Sequence, residues 1–143
     1  VIRPVRADER SALATLQSYL DAPVPELLAS VGTVGSCLVS VDDADRPVGY
    51  VLAVGGSDTH LAELVVHPDY RREGRARALL RAVIDRAEPG TRVTLVVAVD
   101  NSPARSLYES VGFNTVERRP GFYADDPGAS DDAVVYAYEI ESD

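Results

Sequence analysis

The 143-residue chain contains no lysine, methionine or tryptophan, and a single cysteine, Cys37. One cysteine excludes an internal disulfide and a multi-cysteine metal centre, so no metal site is expected. The missing methionine is expected where the initiator residue has been removed or is not included in the sequence. Without lysine there is no Gly-Lys-Ser/Thr, which rules out a Walker-type phosphate loop. No apolar run approaches the ~18 residues that span a bilayer, and no signal peptide is recognisable. A reducing, cytoplasmic setting away from the membrane is expected. Basic patches interleaved with aromatics are also missing, which argues against nucleic acid as a partner.

What the chain does have is acid: 23 Asp and Glu against 14 arginines, a net charge of −9. Such a field attracts cationic amines, but net charge bears on solubility before function, and we read it as a solvated surface. An apolar content of 45% over this length predicts one domain, 1–143, with a real core.

Local patterns order the chain as a compact α+β fold with a mixed sheet. A short strand is expected at 2–6. A helix follows from 7–9, with Ala12, Leu16, Tyr19 and Leu20 on its apolar face, ending near Pro23. A second short helix is expected over 25–31. Strands at 36–41 and 48–54 flank the turn Asp42 to Pro47, and another strand covers 60–66. Residues 93–99 form a near-continuous apolar run, the mark of a strand covered on both faces. A right-handed crossover makes the strands at 60–66 and 93–99 parallel. A closing hairpin pairs 113–119 with 133–140 across the acidic loop 125–132.

The most informative stretch is Val65 to Gly74, a strand, a proline turn and a basic loop leading into a helix. Ala76, Leu79, Leu80, Val83, Ile84 and Ala87 then recur at helical spacing up to Pro89-Gly90. The first turn of that helix offers unpaired N–H groups and a positive dipole end, which suit a diphosphate. Gly74 permits close approach, and Arg71 and Arg72 add charge and forked donors.

Arg71-Arg72-Glu73-Gly74-Arg75-Ala76 resembles the Arg/Gln-x-x-Gly-x-Gly/Ala acyl-CoA signature of the GNAT N-acetyltransferase superfamily. Arg75 departs from it, because that position is usually aliphatic; its side chain is expected outward or on a CoA phosphate. A second segment, Asn101 to Phe113, matches the family's Asn-x-x-Ala-x-x-Leu-Tyr-x-x-x-Gly-Phe at every defined position. Asp100, Asn101 or Ser102 caps its helix, Pro103 lies in the first turn, and Gly112 ends it. Ala104, Leu107, Tyr108 and Val111 are expected on the inner face.

The resemblance implies a mixed, mostly antiparallel sheet of six to seven strands, with a central splayed parallel pair and about four helices. It implies acetyl-CoA as co-substrate and direct acetyl transfer to a primary amine. Leu64, Val65 and Val66 would pair with pantetheine as an added strand does. Arg71, Arg72, Glu73, Gly74, Arg75, Ala76 and Arg77 would hold the diphosphate, chiefly through backbone N–H groups. Asn101 would bind the pantetheine arm, and Tyr108 would protonate the departing thiolate. A backbone N–H near Val66 would polarise the carbonyl.

The general base is left open. Ribosomal-protein N-terminal acetyltransferases, which the C-terminal half also resembles, carry a glutamate where this chain has Val96. Glu63, a carboxylate within an otherwise apolar strand, and His60 are the substitutes, each set against an ordinary strand position. His67 is read as structural. Deprotonating a lysine at pH 7 costs about 4.6 kcal/mol, an α-amine only about 1 kcal/mol. A site without a strong base therefore leans toward α-amines. Arg118 to Tyr123 and Asp131 to Ala133 are similar to the substrate-side hairpin of N-terminal acetyltransferases, which favours a peptide N-terminus over a small-molecule amine. A homodimer is compatible with the family. Two rival readings are a non-catalytic acetyl-CoA-binding module and a ping-pong enzyme acylated on Cys37.

Overall fold

A computed structural model describes residues 1–19, 35–55, 57–120 and 132–142. The chain divides into two compact units, Val1–Gly56 with Leu61–Arg86, and Ser57–His60 with Ala87–Asp143. The strands hydrogen-bond in the order β1-β2-β3-β4-β5-β7-β6, a seven-stranded mixed sheet.

In the first unit β1 (Ile2–Pro4) pairs antiparallel with β2 (Gly35–Val41), which forms a hairpin with β3 (Pro47–Gly55). The hairpin turn closes on Asp42, whose Oδ1 accepts from the amides of Ala44 and Arg46, both at 2.9 Å. Asp45 takes the left-handed conformation there, φ 63°, one that Asp tolerates better than most residues. Val39 and Tyr50 sit opposite each other and, with Leu13, Leu16, Leu52 and Val65, fill one core. β4 (Thr59–Val66) leads through a short 3-10 turn, Pro68–Tyr70, to α2 (Arg75–Arg86), which buries Leu79, Leu80 and Val83 as its periodicity requires.

The first helix differs from expectation. Ala7–Glu9 is a 3-10 turn, and α1 covers only Arg10–Gln17. It buries Leu13, Leu16 and Gln17, while Tyr19 is 41% exposed. Bonds from Ser18 N to Thr15 O and from Tyr19 N to Leu16 O tighten the chain to three-residue spacing, so Tyr19 leaves the buried stripe. The polar Gln17 replaces it inside because it has a buried partner, described below. Leu20, the helix expected over 25–31 and most of the 125–132 loop lie outside the described residues.

Gly49 marks a close backbone approach within this unit. A Cβ there would lie 2.9 Å from Val65 O and 3.3 Å from Val66 Cγ2. Gly49→Ala is therefore expected to cost about 1–3 kcal/mol through overpacking. Thermal denaturation measures it, and an unchanged midpoint would mean that β4 yields freely.

In the second unit β5 (Arg92–Ala98) pairs parallel with the start of β4, Thr59 opposite Val93 and His60 opposite Thr94. On its other side β5 pairs antiparallel with β7 (Ala133–Glu139), which also holds β6 (Asn114–Arg119). Val93, Leu95 and Val97 are buried, and the alternate residues of β5 face a more open surface. Between β5 and β6 runs α3 (Ser102–Val111). Asn101 is its N-cap, accepting from Ala104 N, and Gly112 ends it at φ 120° with Phe113 N bonded to Tyr108 O. Ala104, Leu107, Tyr108 and Val111 are half-buried rather than sealed. No described helix is long and apolar enough to cross a membrane.

Candidate active site

The turn from β4 to α2 sets two left-handed residues and several backbone amides at the start of a helix. His67 opens it, its Nδ1 accepting from Asp69 N at 3.1 Å. Arg71 is pinned to the strand end, Nε donating to Val66 O at 3.0 Å. Arg72 and Gly74 both adopt left-handed backbone, φ 66° and 77°. Alternation of this kind gathers successive N–H groups around an anion. Among the described residues no carbonyl accepts from the amides of Arg72, Glu73 or Gly74. The first helical bond is Ala78 N to Gly74 O, so among the described residues the amides of Arg75 and Ala76 in the first turn have no intrahelical acceptor. A Cβ built on Gly74 meets nothing within 4 Å. Open space, unclaimed donors and a helix N-terminus together fit a diphosphate.

The arginines divide their work differently from the sequence reading. The Arg75 side chain is turned inward towards β2 rather than outward. Its Nη1 donates to Ser40 Oγ at 2.9 Å and Val41 O at 3.1 Å, its Nε meets Glu73 at 2.8 Å, and it stacks over Tyr70. It fastens the start of α2 to β2, a contact whose partners lie some thirty-five residues away in the chain. Arg72 is exposed.

Glu63 lies in the same unit, 5% exposed. Gln17 Nε2 reaches both of its oxygens, at 3.0 and 3.1 Å, and Tyr50 donates to Oε1 at 2.8 Å. Burial and the neighbouring carboxylate push the Tyr50 phenol well above its usual range, so it remains a donor. Cys37, on the adjoining strand, is 3% exposed. Burial, reinforced by the charge of Glu63, pushes its thiol up to about 12. A thiol held protonated and out of solvent is no nucleophile, which removes the structural basis for acylation on Cys37.

The second unit holds a cavity of about 450 Å³ on the open face of β5, β7 and β6. Val96, Val116 and Val135 give it an apolar surface, and His60 and Thr94 line it from the β4 side. His60 is half-buried, with Nδ1 3.1 Å from Thr94 Oγ1. Desolvation, then the positive charge of Arg119, holds its imidazole below the usual value, so it is neutral at pH 7. Asp58 and Arg92 form one ion pair on the lining, and Glu117 and Arg119 a second. Sequence reasoning missed Thr94, Glu117 and Arg119 as cavity residues. The only signal was the alternation along β5 and β6, which places every second side chain on one face.

Tyr108 lies on α3 with its ring tilted against Phe113 at 6.1 Å and Tyr136 at 5.9 Å. Tyr136 is held in turn: Arg105 Nε donates to its hydroxyl at 2.9 Å, and the hydroxyl donates to Glu109 at 2.5 Å. Arg105 also donates to Val99 O at 2.8 Å, tying the helix to the end of β5. Among the described residues no cluster of three or more His, Cys, Asp or Glu could hold a metal ion.

Comparison with known proteins agrees with this geometry. The sequence profile of the Acetyltransferase (GNAT) family matches residues 6–113. The [Ribosomal protein bS18]-alanine N-acetyltransferase of Escherichia coli (strain K12) is 40% identical over 82 residues, 56% of this chain and 55% of that protein. The chain spans 17% to 55% of the length of the curated relatives it matches. The crystal structure of the ribosomal-protein-S18-alanine N-acetyltransferase from Escherichia coli superposes with a TM-score of 0.85 at 24% identity, covering 100% of this chain and 95% of that one. Arabidopsis thaliana NAA60 in complex with acetyl-CoA gives 0.83 at 24%, covering 98% of each chain. Both solved structures share the fold. With two ordered signatures and a profile match over most of its length, the chain belongs to the acetyltransferase (GNAT) family.

Proposed function

We propose that this chain is an N-acetyltransferase that moves the acetyl group of acetyl-CoA directly to a primary amine, the α-amine of a peptide N-terminus. The observation that carries the reading is the loop from Arg72 to Ala76, whose amides meet no backbone carbonyl among the described residues and whose left-handed turns suit a diphosphate. The name of the Escherichia coli relative, an alanine N-acetyltransferase of a ribosomal protein, supports the α-amine. The family match runs from 6 to 113 through residues of both units, which supports one catalytic domain over 1–143. We place the enzyme in the cytoplasm, where a lone cysteine stays reduced, and its acidity disfavours nucleic acid as a partner.

Acetyl-CoA, when bound, supplies a thioester whose C–S bond breaks as the N–C bond to the acceptor forms. The amides of residues 71–77 bind its diphosphate, and the backbone of Leu64, Val65 and Val66 binds the pantetheine as a strand would. Asn101, which caps α3 through its Oδ1, stands at the head of the second signature and binds the same arm. His60, in the tautomer with its proton on Nδ1, presents Nε2 to take the proton released by the amine. Tyr108 donates its phenolic proton to the sulfur. Glu63, sealed behind Gln17 and Tyr50, holds α1 against β4 and β3 rather than exchanging protons with the acceptor.

The reading is tested by acetylation assays on peptides of varied first residue beside lysine, polyamine and aminoglycoside acceptors, with calorimetry of acetyl-CoA binding. Failure to bind acetyl-CoA would sink it; binding without transfer to any amine would leave a coenzyme-binding module. The pH profile carries a further expectation. Because the imidazole of His60 titrates below its ordinary value, the acid limb of kcat/KM falls below pH 6.5. Activity is then lost as pH drops through that limb, and His60→Gln should abolish the limb. An unaltered limb in His60→Gln assigns the proton acceptor elsewhere.

A further inference from the structure

The cavity on the β5–β7–β6 face is balanced in charge, although the chain as a whole carries −9. Asp58 and Glu117 contribute two carboxylates to it, Arg92 and Arg119 two guanidinium groups. A polycation entering this space would gain at the carboxylates and be repelled by the arginines. A purely apolar amine would add no contact to the two ion pairs of the lining. The lining suits a ligand that carries both signs of charge.

Arg119 is placed to read the anionic part. Its Nε donates to Glu117 Oε2 at 2.6 Å, which fixes the plane of the guanidinium. Among the described residues its Nη groups have no hydrogen-bond partner, so a forked pair of donors is held ready. Such an edge matches a carboxylate in two parallel bonds, whereas a lysine would offer a point charge. His60 lines the same cavity with its Nδ1 committed to Thr94, and Arg119 lies close enough to act electrostatically on its ring. Val96 and Val135 offer an apolar surface for the carbon skeleton.

We propose that this cavity takes an acceptor bearing a carboxylate a few bonds from its amine, with the carboxylate on the Nη edge of Arg119 and the amine at His60 Nε2. The inference rests on the acetyltransferase reading; a peptide source narrows the acceptor proposed above, and a free amino acid would replace it. Two sources share this chemistry: a free α-amino acid, and a peptide whose first residue is Asp or Glu.

The test uses the whole protein without coenzyme and reads the ring resonances of His60 by NMR. The chain has only two histidines, and His67→Gln identifies the other. Probes are alanine, alanine amide, amide-capped tripeptides beginning with Asp or Ala, and spermidine. The carboxylate-bearing probe should shift His60 with an affinity at least about ten-fold tighter than its uncharged counterpart, from one charge-assisted forked pair. Response to alanine points to the free amino acid; response to the Asp peptide alone points to the peptide. Arg119→Gln, at a half-exposed position, should erase the preference and raise the titration midpoint of His60, and Arg119→Lys should restore the midpoint but not the preference. Equal affinity for acid and amide, binding of spermidine instead, silence of His60 towards every probe, or a preference that survives Arg119→Gln overturns the proposal. If acetyl-CoA fails to bind in the parallel calorimetry, the acetyltransferase reading falls separately. If acetyl-CoA binds and Ala peptides are acetylated without any carboxylate preference, only the present inference falls.

Discussion

Replacing Tyr108 with phenylalanine should lower kcat by about a hundred-fold or more and leave acetyl-CoA affinity within about two-fold. The expectation comes from how the ring is held. Phe113 and Tyr136 flank it, and Tyr136 is locked by Arg105 on one side and Glu109 on the other. Phenylalanine keeps those ring contacts, so the variant removes one hydroxyl and little else. A proton donor that acts only as the thiolate departs contributes to the transition state and not to ground-state binding. Loss of turnover at constant affinity is the signature to look for, by steady-state kinetics alongside calorimetry. An unchanged kcat would take Tyr108 out of the chemistry. Tyr136→Phe provides the companion measurement, since it loosens the support and leaves the Tyr108 hydroxyl in place; a smaller fall in kcat is expected.

The second large effect concerns Glu63. Glu63→Ala should destabilise the protein by about 3 kcal/mol, because it strips the acceptor from two buried donors and opens a cavity beside them. Tyr50 is fully buried and Gln17 nearly so, and neither can turn to solvent for a replacement. At roughly 3 °C per kcal/mol for a chain of this size, the melting midpoint should fall by about 10 °C. Glu63→Gln separates stability from catalysis. It retains an oxygen for Tyr50 but sets an amide against the amide of Gln17, so a moderate loss of stability and near-normal turnover are expected. A Glu63→Gln protein that melts like the parent yet loses turnover about a hundred-fold would make Glu63 the proton acceptor.

These two residues show where sequence reading succeeds and where it stops. Tyr108 is legible because its segment is local. Asn101 caps, Pro103 starts the helix, Gly112 ends it, and the i, i+3, i+4 spacing places the phenol on a known face. Gly74 is legible for the same reason, since a left-handed backbone position marks its own residue, whereas the apolar run at 93–99 suggests a strand covered on both faces and only one face, that of Val93, Leu95 and Val97, is sealed. Glu63 reads in sequence as a lone carboxylate in an apolar strand. Its meaning depends on Gln17, 46 residues earlier, and on Tyr50 across the hairpin. Arg75 reads as a phosphate ligand until its partners on β2 are seen, and α1 is misread because Gln17 counts as polar in any periodicity. Arg119 and His60 are far apart in the chain and share a cavity only through the pairing of β6 with β7 and β7 with β5.

Sequence by itself determined the family, the order of the described elements, the glycine turn before α2 and the helix that carries position 108. Each of these is written in short windows where side-chain spacing and glycine placement constrain the backbone directly. Tertiary structure alone decided which titratable groups are sealed among buried partners, as Glu63 is, and which line open space, as His60 does. That division depends on the distance between groups remote in the chain, and on how far burial removes each from water.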